Sequence, residues 1–400
     1  MGWLIILAAV VLLPLLAVAV DAIAGLRSRN KEYEFGDLRS SDFEVLVPIY
    51  GSVTYLENID YLSQYGGKVV LCTTAGETQQ FYDELYRICF QNNFRLFVAT
   101  FGRTDNVHKR STSGTIRDRL IRDALPLVQA TYVVPVDADT TTTAPLDALV
   151  GELERKGYDL ASVRLVPQNT DTLLARLQGY EYRLAMQFRF LATWLVSGAC
   201  HVARTDVLTD VMNRHSLFFQ GNDVEIGLIA RLRGYRVGHI PFEVPTVVPA
   251  SFKAWVRQRL AWAGGEFRLF VVNFRYVVRH PFLWVYGGLV TIALFPMRWL
   301  AFAGPGEKVL YCTGLVATLA LYVALVLRLH WRNRSWSLMV MPLYMLATSM
   351  IMTPLGIAWY CWMAWKDRNA GVIHPGRVRR QSEIPSPRPE PAHAWVRHYI

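Results

Sequence analysis

Tyr132-Val133-Val134-Pro135-Val136-Asp137-Ala138-Asp139-Thr140 reads as a buried strand that ends in two carboxylates one residue apart. In extended chain, residues i and i+2 point to the same side. Asp137 and Asp139 can therefore aim at one point at the strand's carboxyl end, where open α/β sheets bind ligands. A Mg2+ or Mn2+ ion held there needs only one or two protein carboxylates, because substrate phosphates complete its shell. The pair suggests a nucleotide-diphosphate site; the plainer reading is a turn after a strand.

The flanking sequence supplies the rest of a sheet. Residues 43–51 form a first strand running into a Pro/Gly turn, and residues 68–74 a second, followed by a helix over about 77–92. Residues 95–99 are a third strand, and 115–129 a helix ending just before the Asp-x-Asp strand. Strands alternating with helices predict a mostly parallel sheet with helices on its faces. The nucleotide is then expected across the carboxyl ends of strands one, two and four.

Three further stretches carry candidate chemistry. In residues 117–123, Asp118 with Arg122 and Arg119 with Asp123 are i,i+4 pairs, the mark of a solvated helix face. The functional alternative places Arg117, near the helix start, on donor phosphates, with Lys109 and Arg110 as rivals. In Gly221-Asn222-Asp223-Val224-Glu225, an acidic residue after a glycine and before an apolar helix is a capping signal. The alternative makes Asp223 a general base that takes the proton of a sugar hydroxyl, with Glu225 on the helix surface. Residues 255–265 mix Trp and Arg on helical spacing, as does a helix lying in a membrane interface. The sharper reading puts Trp262 under an acceptor sugar ring and Arg259 on a departing diphosphate.

The composition is too apolar for an ordinary soluble protein, with 52% hydrophobic residues and a mean hydropathy of +0.20. The excess lies in four runs, 3–20, 281–303, 309–329 and 336–365, each long enough to span a hydrocarbon core. The first has no Lys or Arg before it, while Arg27, Arg29 and Lys31 follow. That pattern predicts an uncleaved anchor with a cytosolic basic flank, and not a signal peptide. Of the net charge of +10, much sits at Arg328, Arg332 and Arg334 and at Lys366, Arg368, Arg377, Arg379 and Arg380. These flanks suit cytosolic loops against anionic lipid headgroups and a carboxyl-terminal tail inside. The soluble part shows no basic face with interleaved aromatics, which argues against nucleic acid as a partner. Residues 382–393, rich in Pro and polar side chains, are expected to be disordered. The five cysteines show no metal spacing and fit a reducing compartment, with Cys200 read as a small buried thiol.

The ordered set Pro48-Ile49-Tyr50, Asp137-Ala138-Asp139, Ser197-Gly198-Ala199, Gly221-Asn222-Asp223 and Gln258-Arg259-Leu260-Ala261-Trp262, followed by apolar runs, resembles the membrane-embedded family 2 glycosyltransferases. Cellulose, hyaluronan and chitin synthases are well-known members. The resemblance covers roughly residues 40–365. It implies an α/β, GT-A (Rossmann-like) nucleotide-sugar transferase domain with N- and C-terminal transmembrane helices, a UDP-sugar donor, a Mg or Mn ion and an inverting transfer. It implies that Asp139 ligates the metal and Asp137 the metal and donor, that Asp223 is the base, and that Gln258, Arg259 and Trp262 line the acceptor and diphosphate site. Pro48, Tyr50, Thr74, Glu77, Arg117, Ser197 and Gly198 complete the expected substrate-binding set. The corresponding layout is an anchor over 1–27, a cytosolic transferase domain over 36–250, an interface helix over 251–280, transmembrane helices over 281–366 and a basic tail over 367–400.

The chain departs from the family pattern at three places. Thr73-Thr74-Ala75-Gly76-Glu77 stands where an Asp-rich turn usually grips uracil, with Thr74 or Glu77 as substitutes. Asn222 replaces an acidic residue, and Ala261 replaces the arginine before the tryptophan, a loss that Arg257 or Arg259 would have to compensate. The resemblance implies a protein of the plasma membrane that feeds a growing β-linked polysaccharide into the bilayer. Rival readings are a non-processive transferase acting on a lipid-linked acceptor and a non-catalytic membrane partner with a degenerate domain.

Overall fold

The computed structural model describes residues 35–102, 113–190, 192–215, 217, 221–274 and 337–366, with Cys312, Val316 and Ala320. They divide into two compact units. The described part of the first lies within Glu32–Val166 and Ala192–Thr246, and that of the second within Pro167–Leu191 and Val247–Gly376.

The first unit is built on a seven-stranded sheet of order β3-β2-β1-β4-β6-β5-β7. Its strands are β1 (Phe43–Pro48), β2 (Val69–Ala75), β3 (Arg95–Gly102), β4 (Tyr132–Pro135), β5 (Leu160–Pro167), β6 (His201–Arg204) and β7 (Val237–Thr246). Strands β1 to β4 pair in parallel, while β6 runs antiparallel to both β4 and β5. The expected mostly parallel sheet is thus a mixed one. The chain enters β6 from the carboxyl end of β4, where Val136 bridges Cys200 and the Asp137 N–H donates to Ala199 O at 2.9 Å. That reversal brings residues 197–200 beside the Asp-x-Asp turn. With β2 on one side of β1 and β4 on the other, the crevice between β1 and β4 is the switch point at which such sheets take ligands.

All six residues of β1 are buried, as a central parallel strand requires. Successive side chains alternate between two cores: Val45, Val47 and Val134 lie in one, Leu46 and Val133 in the other. Helices α1 (Ile59–Ser63), α2 (Gln79–Asn92), α3 (Ser113–Ala124), α4 (Leu146–Lys156), α6 (Thr205–Met212) and α7 (Asn222–Leu232) belong to this unit. Phe81, Leu85 and Cys89 of α2, spaced by four, face the first core, and Leu120, Ile121 and Ala124 of α3 the second. Helix α2 opens at Thr78, whose side chain accepts from Phe81 N, and closes on left-handed Asn93.

Helix α7 packs backbone to backbone on the segment before β6. A Cβ at Gly227 would fall 2.0 Å from Trp194 O. Gly227→Ala is therefore expected to cost about 1–3 kcal/mol through overpacking, read as a lowered Tm by calorimetry; an unchanged Tm would contradict this packing.

The second unit is helical, with α5 (Leu173–Phe188), α8 (Phe252–Val272), α9 (Ser337–Ala347) and α10 (Thr353–Lys366). Ser251 caps α8 by accepting from Ala254 N at 3.3 Å. The apolar run 336–365 forms α9 and α10 in direct succession through a π-helical turn, Thr348–Met352. Pro354 supplies no backbone donor to that junction, while Thr348 O accepts both the backbone N–H of Thr353 and its hydroxyl, the latter at 3.3 Å. Gly356 lets α10 approach α8 closely, since a Cβ there would lie 2.6 Å from Leu260 O. Among the described residues no helix is long and apolar enough to cross a membrane. The runs 3–20 and 281–303, nearly all of 309–329, and Lys109 and Arg110 lie outside the described residues.

Candidate functional site

The Asp-x-Asp turn is clamped from below. Asn58, buried just before α1, donates through Nδ2 to Asp137 O at 3.0 Å and to Thr140 O at 2.6 Å. Thr140 N closes the turn on Asp137 O at 3.0 Å, and Glu57 N reaches Ala138 O at 2.9 Å. With the backbone so held, the Asp139 side chain is exposed and that of Asp137 keeps 34% of its surface open. Nothing in the sequence singled out Asn58, because its partners lie 79 and 82 residues away.

Arg117 joins this turn to the segment before β6. Its Nε pairs with Asp137 Oδ1, its Nη2 donates to Gly198 O, and its Nη1 meets Asp118 Oδ1 at 2.9 Å. Burial works against the charged guanidinium, but the carboxylates of Asp137 and Asp118 outweigh it and hold its pKa above the usual arginine value. Burial also pushes the Asp137 carboxyl above the usual carboxylate range; Arg117 opposes that rise, and Asp139 and Asp118 add to it. Asp118 is buried and pairs with its neighbour Arg117, while Arg122 pairs with Asp123 at 2.7 Å. Of the two i,i+4 pairs expected on a solvated face, Arg119 and Asp123 meet at 4.0 Å.

Gly198 also abuts Asp223: a Cβ there would lie 3.2 Å from Asp223 Oδ2. Asp137, Arg117, Gly198 and Asp223 thus form one continuous set, drawn from the turn after β4, α3, the segment before β6, and α7. Gly221, at φ +83°, occupies the N-cap of α7 with no side-chain cap bond, and Asp223 lies in the first turn. Glu225 is not on the helix surface, as the sequence suggested. It is buried, with Oε2 3.5 Å from His215 Nε2. Leu217 N donates to His215 Nδ1 at 3.0 Å, so Nε2 carries the proton and donates to Asn222 O at 2.8 Å.

Ser197 is wholly buried; its hydroxyl donates to Val163 O at 3.0 Å, which fixes the start of the Gly198 segment. Burial, with Arg117 adding to the effect, pushes the His201 imidazole down to about 3, so this ring is neutral. Cys200 is buried, as expected.

At the neighbouring strand ends, Pro48 closes β1 opposite Cys72 of β2, and Ile49 N donates to Cys72 O at 2.8 Å. Tyr50 follows, half-buried against the second core. After β2, the buried Thr74 hydroxyl donates to Glu77 Oε1 at 2.6 Å across a turn made by Gly76 at φ +74°. The Tyr82 hydroxyl donates to Thr74 O at 2.8 Å and accepts from Glu77 N at 3.2 Å. Thr74 and Glu77 therefore stand together at the carboxyl end of β2.

Gln258, Arg259 and Trp262 belong to the second unit, on α8. Gln258 is half-buried. Arg259 is 3% exposed and ion-paired with Glu181 of α5, Nη2 to Oε2 at 2.6 Å. Its guanidinium carbon lies 4.4 Å from the centroid of the Trp262 ring. Trp262 is 40% exposed, whereas Arg257 on the same helix is exposed.

The sequence profile of Glycosyl transferase family group 2 matches residues 132–365, from β4 through α10. The chain belongs to that family. Among curated proteins it is similar to an N-acetylglucosaminyltransferase of Bradyrhizobium diazoefficiens, with 31% identity over 34% of this chain and 31% of that protein. Another N-acetylglucosaminyltransferase, of Sinorhizobium fredii, is 32% identical over 34% of this chain and 37% of its own length. The match spans about a third of the length of these relatives. Among solved structures, the mannosyltransferase PcManGT of Pyrobaculum calidifontis, in complex with GDP-Man and Mn2+, superposes with a TM-score of 0.56 at 16% identity. That likeness covers 89% of this chain and 97% of the other. The mixed sheet of this glycosyltransferase is accordingly GT-A-like.

Among the described residues of the glycosyltransferase, no group of three or more His, Cys, Asp or Glu side chains is placed to hold a metal ion. Asp137 and Asp139 offer two carboxylates at the end of β4. That donor set fits Mg2+ or Mn2+, which takes one or two carboxylates and completes its octahedron with water and phosphates.

Proposed function

We propose that this glycosyltransferase moves a sugar from a UDP-sugar to the end of a growing β-linked polysaccharide, with inversion at the transferred carbon, at the surface of a membrane. The observation that carries the reading is the continuous set Asp137–Arg117–Gly198–Asp223, which ties an acid at the switch point to a second acid across one arginine and one glycine. Asp137 and Asp139 hold a divalent cation and, with it, the donor diphosphate; when bound, the cation neutralises charge developing on the leaving nucleotide. Asp223 takes the proton from the acceptor hydroxyl as that oxygen attacks the face opposite the nucleotide. Pro48, Tyr50, Thr74 and Glu77, at the ends of β1 and β2, form the nucleotide side.

Gln258 and Trp262 receive the acceptor. Arg259 is ion-paired with Glu181, and exposed Arg257 is then the arginine that takes the place of the charge missing at Ala261. The apolar runs supply the anchor and the path for the product, with the transferase unit on the cytosolic side of the plasma membrane. The names of the curated relatives support placing UDP-N-acetylglucosamine first among donors, and the complex of PcManGT with GDP-Man and Mn2+ supports including both in the same panel. Incubation of the purified full-length protein with that panel is expected to release nucleotide from a UDP-sugar in the presence of Mn2+ or Mg2+ and of acceptor. Release from none of the donors would overturn the reading. Product sizing then separates polymerisation from the addition of a single residue.

The Asp137 environment gives this reading a pH signature. A cation ligand must be deprotonated, and burial holds the Asp137 carboxyl above its usual range. Cation affinity is therefore full above the raised pKa and lost as pH falls through it, at a higher pH than an ordinary aspartate of about 3.9 would set. Calorimetric titration of Mn2+ against pH checks this. An affinity that declines only where free aspartate titrates would contradict the raised pKa of Asp137.

A further inference from the structure

We propose that Glu181, Tyr344 and Arg259 form a positioning device for the Trp262 ring, setting the platform on which the acceptor sugar rests; the inference depends on the reading of Trp262 given above. Three helices converge here. Glu181 comes from α5, Arg259 and Trp255 from α8, and Tyr344 from α9. The Tyr344 hydroxyl donates to Glu181 Oε2 at 2.6 Å and accepts from Trp255 Nε1 at 3.0 Å and from Arg259 Nη2 at 3.1 Å. One donor and two acceptor sites are the full capacity of a phenol, so this one oxygen fixes all three partners.

A buried ion pair adds little stability compared with well-packed apolar residues, because both charges lose their water. Its presence at 3% exposure calls for another role, and the geometry supplies one. The Arg259 guanidinium, held by Glu181 and Tyr344, lies over the Trp262 ring at 4.4 Å, a cation–π contact that fixes the ring's plane. Tyr182, next to Glu181 on α5, brings its own ring to 6.1 Å from that of Trp262. The same turn of α5 therefore anchors the arginine and meets the tryptophan, while 40% of Trp262 stays open. Arg259 is thus a positioning residue that acts through Trp262, and Tyr344 is the point where the apolar run 336–365 bears on the acceptor platform.

Tyr344→Phe removes a single hydroxyl and keeps the ring. In the full-length protein, with a β-1,4-linked N-acetylglucosamine tetramer as acceptor, it is expected to raise the acceptor KM about tenfold, the scale of one lost hydrogen bond to a charged group. The donor KM and the slow hydrolysis of donor by water stay unchanged. Glu181→Gln is expected to act in the same direction and serves as the second variant. A purely structural role would lower Tm and reduce transfer and donor hydrolysis together; that parallel loss, or an unchanged acceptor KM in both variants, overturns the proposal. Trp262→Ala separates the two levels. If it raises the acceptor KM while Tyr344→Phe and Glu181→Gln do not, the positioning device alone falls. If Trp262→Ala has no effect on acceptor KM, the reading of Trp262 falls and the device with it.

Discussion

Asp223→Asn is expected to reduce sugar transfer by about 10²–10⁴-fold, the range set by loss of a general base, with donor binding intact. Asparagine keeps the shape of the side chain and its place in the first turn of α7, but it cannot accept a proton. The alternative role for an acid here is interaction with the helix terminus, worth about 0.3–1 kcal/mol. That effect appears in Tm and leaves the rate almost untouched, so the ratio of rate loss to stability loss discriminates the two. Gly221, and not Asp223, occupies the N-cap and makes no side-chain cap bond. The bare Cα of Gly198 gives the Asp223 carboxylate its room. Single-turnover transfer, with donor affinity measured in parallel, is the check; a loss smaller than about tenfold would place the base elsewhere.

Arg117→Met is expected to disable the protein more broadly. It strips the partner from Asp137, from buried Asp118 and from the Gly198 carbonyl at once. Removing one member of a buried pair typically costs about 3–5 kcal/mol. The Asp137 share is smaller, since its side chain is 34% open to solvent screening. Arg117→Lys gives the sharper comparison. An ammonium restores a positive charge but not the planar fork that reaches three groups. Stability is expected to recover in part while transfer stays low, because the Gly198 segment and the Asp137 carboxylate are no longer tied together. Were the arginine's contribution a free positive charge facing the donor phosphates, lysine would restore donor affinity and most of the rate. Tm, donor affinity and transfer rate for the two variants, measured side by side, decide between these outcomes.

How much of this was legible in the sequence follows from range. Strands β1, β2 and β4 announce themselves because interior parallel strands are buried and read as short apolar runs bounded by turns, and β3 reads as an apolar run although it lies at the sheet edge and is only partly buried. The Asp-x-Asp pair and the acid after Gly221 stand out from local spacing alone, although β4 ends at Pro135 and the pair lies in the turn that follows, not in extended chain. The antiparallel half was not legible. Strand β6 is only four residues long, and its direction is set by the return of residues 197–200 to the end of β4. Arg117 shows the same limit, since its spacing to Asp118 is uninformative and its decisive partners lie 20 and 81 residues away. Glu225 was read as a surface residue because the sequence does not show that His215 waits beneath it. The Glu181–Tyr344 bond joins residues 163 apart, a link no local pattern carries. Where the sequence reading placed Arg259 on a departing diphosphate, the fold pairs it with Glu181.

The most direct test is the anomeric configuration of the new glycosidic bond. The full-length protein is incubated with an α-configured UDP-sugar, the acceptor and Mn2+, and the first product is examined by proton NMR. A single displacement with Asp223 as base gives a β bond, and Asp223→Asn gives no product within the same time. An α bond, or undiminished β product from Asp223→Asn, would contradict the account.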